Sequence, residues 1–308
     1  MAEDPVPGGW DDPRLVPTHP LLRLPLALMA VACIGLGPVA PGAAAQAQPT
    51  TPEPTSPEAP ASAPAPSSPG SSGRGPDDLP KGQCIDDAAV ARAGTYAAAR
   101  PGSVSFAVFE HGTLRSIGGG VPYRSASIVK AMVLVADLRR HARSGRPLSK
   151  ADRARLASMI RVSNNSAASK SFSIVGRGAV LEVARKVGMR GYSVGTYWSS
   201  SQVTAADQAR FFGRLHSVLP KQYRAFGRRL LRTVVRSQTW GGARVARQAG
   251  YTTLFKSGWL PRTDGWVVHQ GLRLERGGCS VGIAVLTGKQ RTMSAGVESI
   301  RGVVQRLL

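Results

Sequence analysis

Hydrophobic positions along this chain change period several times, and each change marks a different kind of element. Residues 84–99 read as a helix that Pro101-Gly102 closes. Residues 103–109 alternate as a half-buried strand does, His111-Gly112-Thr113 supplies a turn, and 114–118 returns as a second strand. The longest apolar run of the C-terminal two-thirds comes next, Ala131-Met132-Val133-Leu134-Val135-Ala136 with Leu138, and it has no polar face before Asp137 and Arg139. A helix that is apolar all round is a buried helix, and this one is expected to run from residue 127 to about 143. Further helices are predicted over 150–162, 167–175, 178–187, 205–218 and 222–236, with Thr204 and Asp207 giving the fourth a capping-box-like start. At Thr252 the period becomes two, which predicts strands over 252–256, 266–274 and 279–287, and a helix over 292–308 follows. The order is helix, two strands, helical block, three strands, helix. It predicts an α+β protein in which a five-stranded antiparallel sheet is covered by the terminal helices and a helical block is inserted after the second strand. An active cleft would then lie between sheet and block.

Composition divides the 308 residues into three regions. Residues 24–47 carry no charge, follow Arg14 and Arg23, and end in Ala43-Ala44-Ala45-Gln46-Ala47, so 1–47 reads as an export signal, with a retained membrane anchor as the alternative. Pro25, Gly35, Gly37 and Pro38 interrupt the apolar stretch and weigh against a span. Residues 48–80 are rich in Pro, Ser, Thr, Ala and Gly; they read as an extended, disordered linker. The domain proper is 81–308. A secreted or extracytoplasmic location is expected, membrane-anchored if the first segment is kept.

Charge sharpens the contrast. Residues 1–80 hold eight acidic side chains against three basic ones, a net of −5, and the whole chain carries +22, which leaves +27 for residues 81–308. Such an excess favours polyanionic surroundings, anionic wall polymers among them. Arg224, Arg228, Arg232 and Arg236 repeat at i+4, which reads first as the solvated face of an amphipathic helix. No aromatic interleaving or nucleic-acid motif accompanies them, so specific nucleic-acid binding is not expected. Removing a signal would remove Cys33 and leave Cys84 and Cys279, a disulfide candidate in an exported domain. No Cys or His spacing suits a metal, and no cofactor is expected.

Candidate chemistry begins at Ser127-Ile128-Val129-Lys130, where helical spacing makes hydroxyl and amine neighbours. A buried lysine loses hydration of its charged form and becomes a base. By itself the tetrapeptide reads equally as an N-cap serine followed by a snorkelling lysine. Two more motifs follow in order: Ser163-Asn164-Asn165 inside the helical block, and Lys256-Ser257-Gly258 on a strand. Ser-x-x-Lys, Ser-x-Asn and Lys-Ser-Gly together resemble the motif set of penicillin-recognising serine hydrolases, the class A β-lactamases and their penicillin-binding relatives. The resemblance covers about residues 81–308.

That resemblance implies roles. Ser127 would be the acylated nucleophile, Lys130 its proton acceptor, and Ser163 the relay to the leaving nitrogen. Asn165 would hold a substrate amide, Lys256 would supply positive charge, and Ser257 would meet a substrate carboxylate. Gly258 and Trp259 would complete the substrate-binding strand, and the N–H groups of Ser127 and Trp259 would form an oxyanion hole. The implied ligands are a β-lactam or a peptidoglycan peptide, and a monomer is expected. Three departures stand out. Asn164 replaces the usual aspartate, the 127-to-163 spacing is short, and residues 190–203, where a deacylating glutamate would fall, contain no acidic residue. The nearest carboxylate, Glu182, reads as an ion-pairing surface group. Two functions follow: an exported serine hydrolase with slow deacylation, or a non-hydrolytic peptidoglycan- or wall-binding protein on the same fold. Gly278-Cys279-Ser280-Val281-Gly282 matches Gly-x-Ser-x-Gly, but a strand is expected after Ser280 where that motif needs a helix, and His269 reads as structural.

Overall fold

The computed structural model describes residues 84–308, so the expected signal and linker lie outside the described residues. Five strands form one antiparallel sheet in the order β2 (Thr113–Ile117), β1 (Ser103–Glu110), β7 (Cys279–Gln290), β6 (Gly265–Arg276) and β5 (Thr252–Arg262). The expected α+β architecture is therefore present. Helices α1 (Asp87–Ala98) and α9 (Met293–Leu307) pack against each other, and α9 lies on β6 and β7. Their approach is close enough that a Cβ on Gly302 would enter the Tyr96 ring.

The opposite face carries α5 (Ala205–Gly213), which packs on β1, β6 and β7. Here glycines permit contact: a Cβ on Gly271 would overlap Phe212, and one on Gly282 would overlap the backbone of α5. Phe106, Phe211, Phe212 and Phe255 are fully buried in the resulting core. The inserted block consists of α2 (Lys130–Ser144), α3 (Lys150–Arg161) and α4 (Asn165–Lys186). Residues Ala131 to Leu138 of α2 are buried without exception, as the all-apolar run requires, and Gly145 in a left-handed conformation ends the helix.

Several elements differ from expectation in instructive ways. The helices expected over 167–175 and 178–187 are continuous in α4 except for a break at Gly176, φ 72°. The stretch expected over 205–218 divides into α5 and a single turn, α6 (Leu215–Val218). The helix expected over 222–236 shortens to α7 (Arg224–Arg232), beyond which Thr233-Val234-Val235 is a β-branched run. β3 (Tyr123–Arg124) pairs with β4 (Gln202–Val203), and α8 (Gly241–Gln248) packs on α9, β5 and β6. β5 continues six residues past the predicted end, through Lys256-Ser257-Gly258-Trp259.

Cys84 and Cys279 are joined in a disulfide with Cα atoms 5.6 Å apart, which fixes the entry to α1 beside the start of β7. Ser280 lies within β7, so the Gly-x-Ser-x-Gly match is not a nucleophile turn. His269 is fully buried on β6; its Nδ1 accepts from the Thr287 N–H at 3.2 Å and its Nε2 lies 2.9 Å from the Arg124 carbonyl, a structural role. No helix among the described residues is long and apolar enough to cross a membrane.

Candidate active site

The three motifs meet at the junction of sheet and helical block. Ser127 sits in a 3-10 turn, Ala126–Val129, that leads directly into α2, so Lys130 opens the helix one turn later. Ser163 occupies the turn between α3 and α4, and Lys256 to Trp259 lie on β5, the outer strand of the sheet. β5 packs against the Ser127 turn. Two of the four non-glycine residues at positive φ among the described residues are Ala126 (44°) and Ser163 (59°). Both turns carrying these hydroxyl groups thus hold a residue in the left-handed region.

Lys130 is the centre of the arrangement. Its side chain is fully buried, and Nζ donates to the Ser163 carbonyl at 2.6 Å, to Ser163 Oγ at 3.2 Å and to Asn165 Oδ1 at 2.8 Å. Burial lowers its pKa to about 7, so a large share of the amine is unprotonated near neutrality. Its hydrogen bonds all run to the Ser163 turn and none runs to Ser127. The expected neighbour relation therefore holds by spacing, while the bond itself is not formed; hydrogen bonds at empty sites are commonly long or unmade.

Alternation along β5 sorts the third motif onto two faces. Lys256 and Gly258 share the face that meets the Ser127 turn, whereas Ser257 and Trp259 face α8. Lys256 is fully buried, its Nζ donates to the Ser257 carbonyl at 2.8 Å, and burial together with the charge of Lys130 pushes it well below the ordinary lysine value. Ser257 is closed to solvent and its Oγ accepts from Gln270 Nε2 at 3.0 Å; the same amide nitrogen donates to the Trp240 carbonyl at 3.1 Å. Trp259 makes an edge contact with Trp240, centroids 6.1 Å apart.

One site residue has no motif to announce it. Trp198, in the segment that lacks acidic residues, places its ring over Lys130 with Nζ 4.4 Å from the centroid. The residue is anchored twice: Nε1–H donates to Ser169 Oγ at 3.1 Å, and the Trp198 carbonyl accepts from Ser125 Oγ at 3.1 Å, two residues before Ser127. Buried Asp207 on α5 fixes the start of the same segment by accepting from the N–H groups of Arg190 (2.9 Å) and Gly191 (2.8 Å). Asn164 caps α4 by accepting from the Ala167 N–H at 2.8 Å. Glu182 is paired with Arg139 and Arg143 of α2, which hold its carboxyl below the usual range, so it is an ion-pairing surface residue as expected. Among the described residues no group of three or more His, Cys, Asp or Glu is placed to hold a metal ion.

No protein-family model matches the chain, and no curated protein does. Solved structures match it over nearly their full length. A β-lactamase from Sphaerobacter thermophilus DSM 20745 superposes with a TM-score of 0.63 at 20% identity, covering 72% of this chain and 96% of that one. A structure of PBP-A gives 0.61 at 14%, with 71% and 93% covered, and an ancestral class A β-lactamase gives 0.59 at 17%, with 70% and 96% covered. At such identities the likeness defines the fold. The chain has the β-lactamase/transpeptidase-like fold that class A β-lactamases and PBP-A share.

Proposed function

We propose that this chain is an exported serine hydrolase, acylated on Ser127, that acts on β-lactams or on D-alanyl peptides of the cell wall and releases the acyl group slowly. The observation that carries this reading is Lys130: a buried amine near pKa 7, tied to Ser163 and Asn165 and one helical turn from Ser127. Ser127 Oγ attacks the carbonyl carbon as Lys130 takes its proton. The N–H groups of Ser127 and Trp259 receive the developing oxyanion. Ser163 passes the proton to the leaving nitrogen, the C–N bond breaks, and an ester on Ser127 remains. Lys256 supplies positive charge to hold the substrate.

Slow release is supported by the residues that surround the ester. The segment 190–203 brings no carboxylate to activate water, and its Trp198 ring covers Lys130. A second reading, a wall-binding protein that recognises peptidoglycan without acylation, is favoured by one observation: the hydrogen bonds of Lys130 turn toward Ser163 and Asn165 and none toward Ser127. Labelling with a fluorescent penicillin, followed by intact-mass spectrometry, separates the two. One added acyl group that disappears in Ser127→Ala supports the hydrolase; no adduct at saturating probe leaves the binding protein.

A further inference from the structure

Helix α7 carries more positive charge than its packing uses. Four of its nine residues are arginine, and Arg224, Arg228 and Arg232 stack at i,i+4, a like-charge spacing that weakens a helix. The buried face consists of Gly227, Leu230 and Leu231. Only Arg228 is neutralised, by a two-pronged pair with Glu275 at 2.9 and 2.5 Å. Arg229 and Arg232 are exposed, and no carboxylate among the described residues pairs with either. Arg247 of α8 brings another exposed guanidinium to the same place, its Nη2 donating to the Arg232 carbonyl at 2.7 Å.

Arg228, Arg229 and Arg232 border a cleft of about 140 Å³ that Ala225 and Leu254 of β5 also line. Nearby, His216 is held below its ordinary value by burial and then by the charges of Arg224, Arg228 and Arg273, with Glu275 acting the other way. The segment that follows α7 reaches the Ser163 turn. Past α7, Val235 N–H donates to the Arg161 carbonyl at 3.0 Å and Gln238 Nε2 to the Val162 carbonyl at 3.1 Å, immediately before Ser163.

We propose that Arg229, Arg232 and Arg247 form a docking site for the phosphates of a phosphodiester-linked polyanion that carries no bases, laid along α7 toward the Ser163 side of the catalytic cleft. Planar guanidinium groups suit phosphate by bidentate hydrogen bonding. A polymer fits better than a bilayer, because none of the large hydrophobic residues exposed among the described residues lies on α7 or α8 to enter acyl chains. It fits better than single-stranded nucleic acid, because Phe226, the aromatic residue of α7, is covered by Arg153 and Arg229 and offers no open face for base stacking. The site does not depend on the chemistry proposed for Ser127.

The test measures binding of fluorescently labelled inorganic polyphosphate to the full chain by anisotropy across a salt series. Two variants of equal charge change are compared: Arg229→Glu with Arg232→Glu, and, as a control, Arg92→Glu with Arg291→Glu, exposed arginines on α1 and before α9. The first variant is expected to bind about tenfold or more weakly with a salt slope lower by about one to two, while the control stays near wild type. Thermal melts and Ser127 labelling should match wild type in both. Equal losses in the two variants, or no binding by wild type, would overturn a local site. Equal affinity for polyglutamate would overturn the phosphate assignment. Tighter binding to phosphatidylglycerol vesicles or to DNA through the same arginines would overturn the polymer.

Discussion

Gly258 stands against Ser127 with no room for a side chain: a Cβ at 258 would come within 2.8 Å of the backbone nitrogen of Ser127, and equally of Ile128. One of those nitrogens is a proposed oxyanion donor. Gly258→Ala must push the Ser127 turn away from β5, and misplacement of about 1 Å at a reacting group costs on the order of 10²-fold in rate. Acylation by a reactive β-lactam, followed by stopped-flow or mass spectrometry, is expected to fall by about that factor, with overpacking costing about 1–3 kcal/mol in stability. Wild-type acylation in this variant would remove β5 from the oxyanion site.

The acylation rate should follow the unprotonated fraction of Lys130, rising with pH through about 7. Trp198 shields that amine. Trp198→Ala admits water, lets the pKa climb toward the ordinary lysine value of 10.5 and moves the rate profile to higher pH, whereas Trp198→Phe keeps the cover and holds the midpoint near wild type. Loss of the ring's attraction for the charged form works in the opposite direction but is the smaller effect, about 0.5–2 kcal/mol. An unmoved profile in Trp198→Ala would show that the ring does not set this group.

A general base contributes about 10²–10⁴-fold to a water-consuming step. Pre-steady-state kinetics with a chromogenic cephalosporin should therefore show a burst near one equivalent and then a slow phase. Fast turnover without a burst would mean that another group, such as a water on Lys130, activates the hydrolytic water.

The Cys84–Cys279 bridge closes a loop spanning 195 positions, for which the chain-entropy model allows up to about 5 kcal/mol. Reduction, or Cys84→Ser with Cys279→Ser, is expected to lower the melting temperature while leaving Ser127 labelling intact below the transition, because the bridge lies at the start of β7 and touches none of the site residues. An unchanged melting temperature under reducing conditions would count against that contribution.

Much of this architecture is legible in the sequence because its signals are local. The strands announce themselves by alternation, the buried α2 by an unbroken apolar run, and the break in α4 by Gly176. The misses have physical causes. β5 continues through Gly258 and Pro261, residues that read as breakers; as the outer strand it has one unpaired side, and proline is tolerated there. α8 opens with Gly241-Gly242, poor helix formers, because Ile300 and Val304 of α9 and the Gln270 amide crowd those positions. β3 and β4 are two residues each, too short for any period. The motifs point to Ser127, Lys130, Ser163, Asn165 and the Lys256 strand, which the fold brings to one junction; Trp198 belongs to no motif, and only the tertiary arrangement brings it to Lys130.

His269 bears on how the molecule responds to acid. Burial pulls its pKa to about 4, against 6.5 in an exposed chain, and its Nδ1 must stay bare to accept from Thr287. Between those values the unfolded chain binds a proton that the folded one refuses, so this group's contribution is whole above about 6.5 and drains away as pH falls toward 4. Lys130 extends the same slope upward, since its folded value near 7 lies below its ordinary 10.5 and the cost of burying it eases as pH rises between them. Two bases with lowered folded pKa values, one bracing the sheet and one in the cleft, thus both contribute stability that grows as pH rises. Acidification would first silence the amine proposed to drive the chemistry, below about pH 7, and only toward pH 4 would a proton on His269 Nδ1 cost the Thr287 N–H its acceptor and loosen β6 from β7.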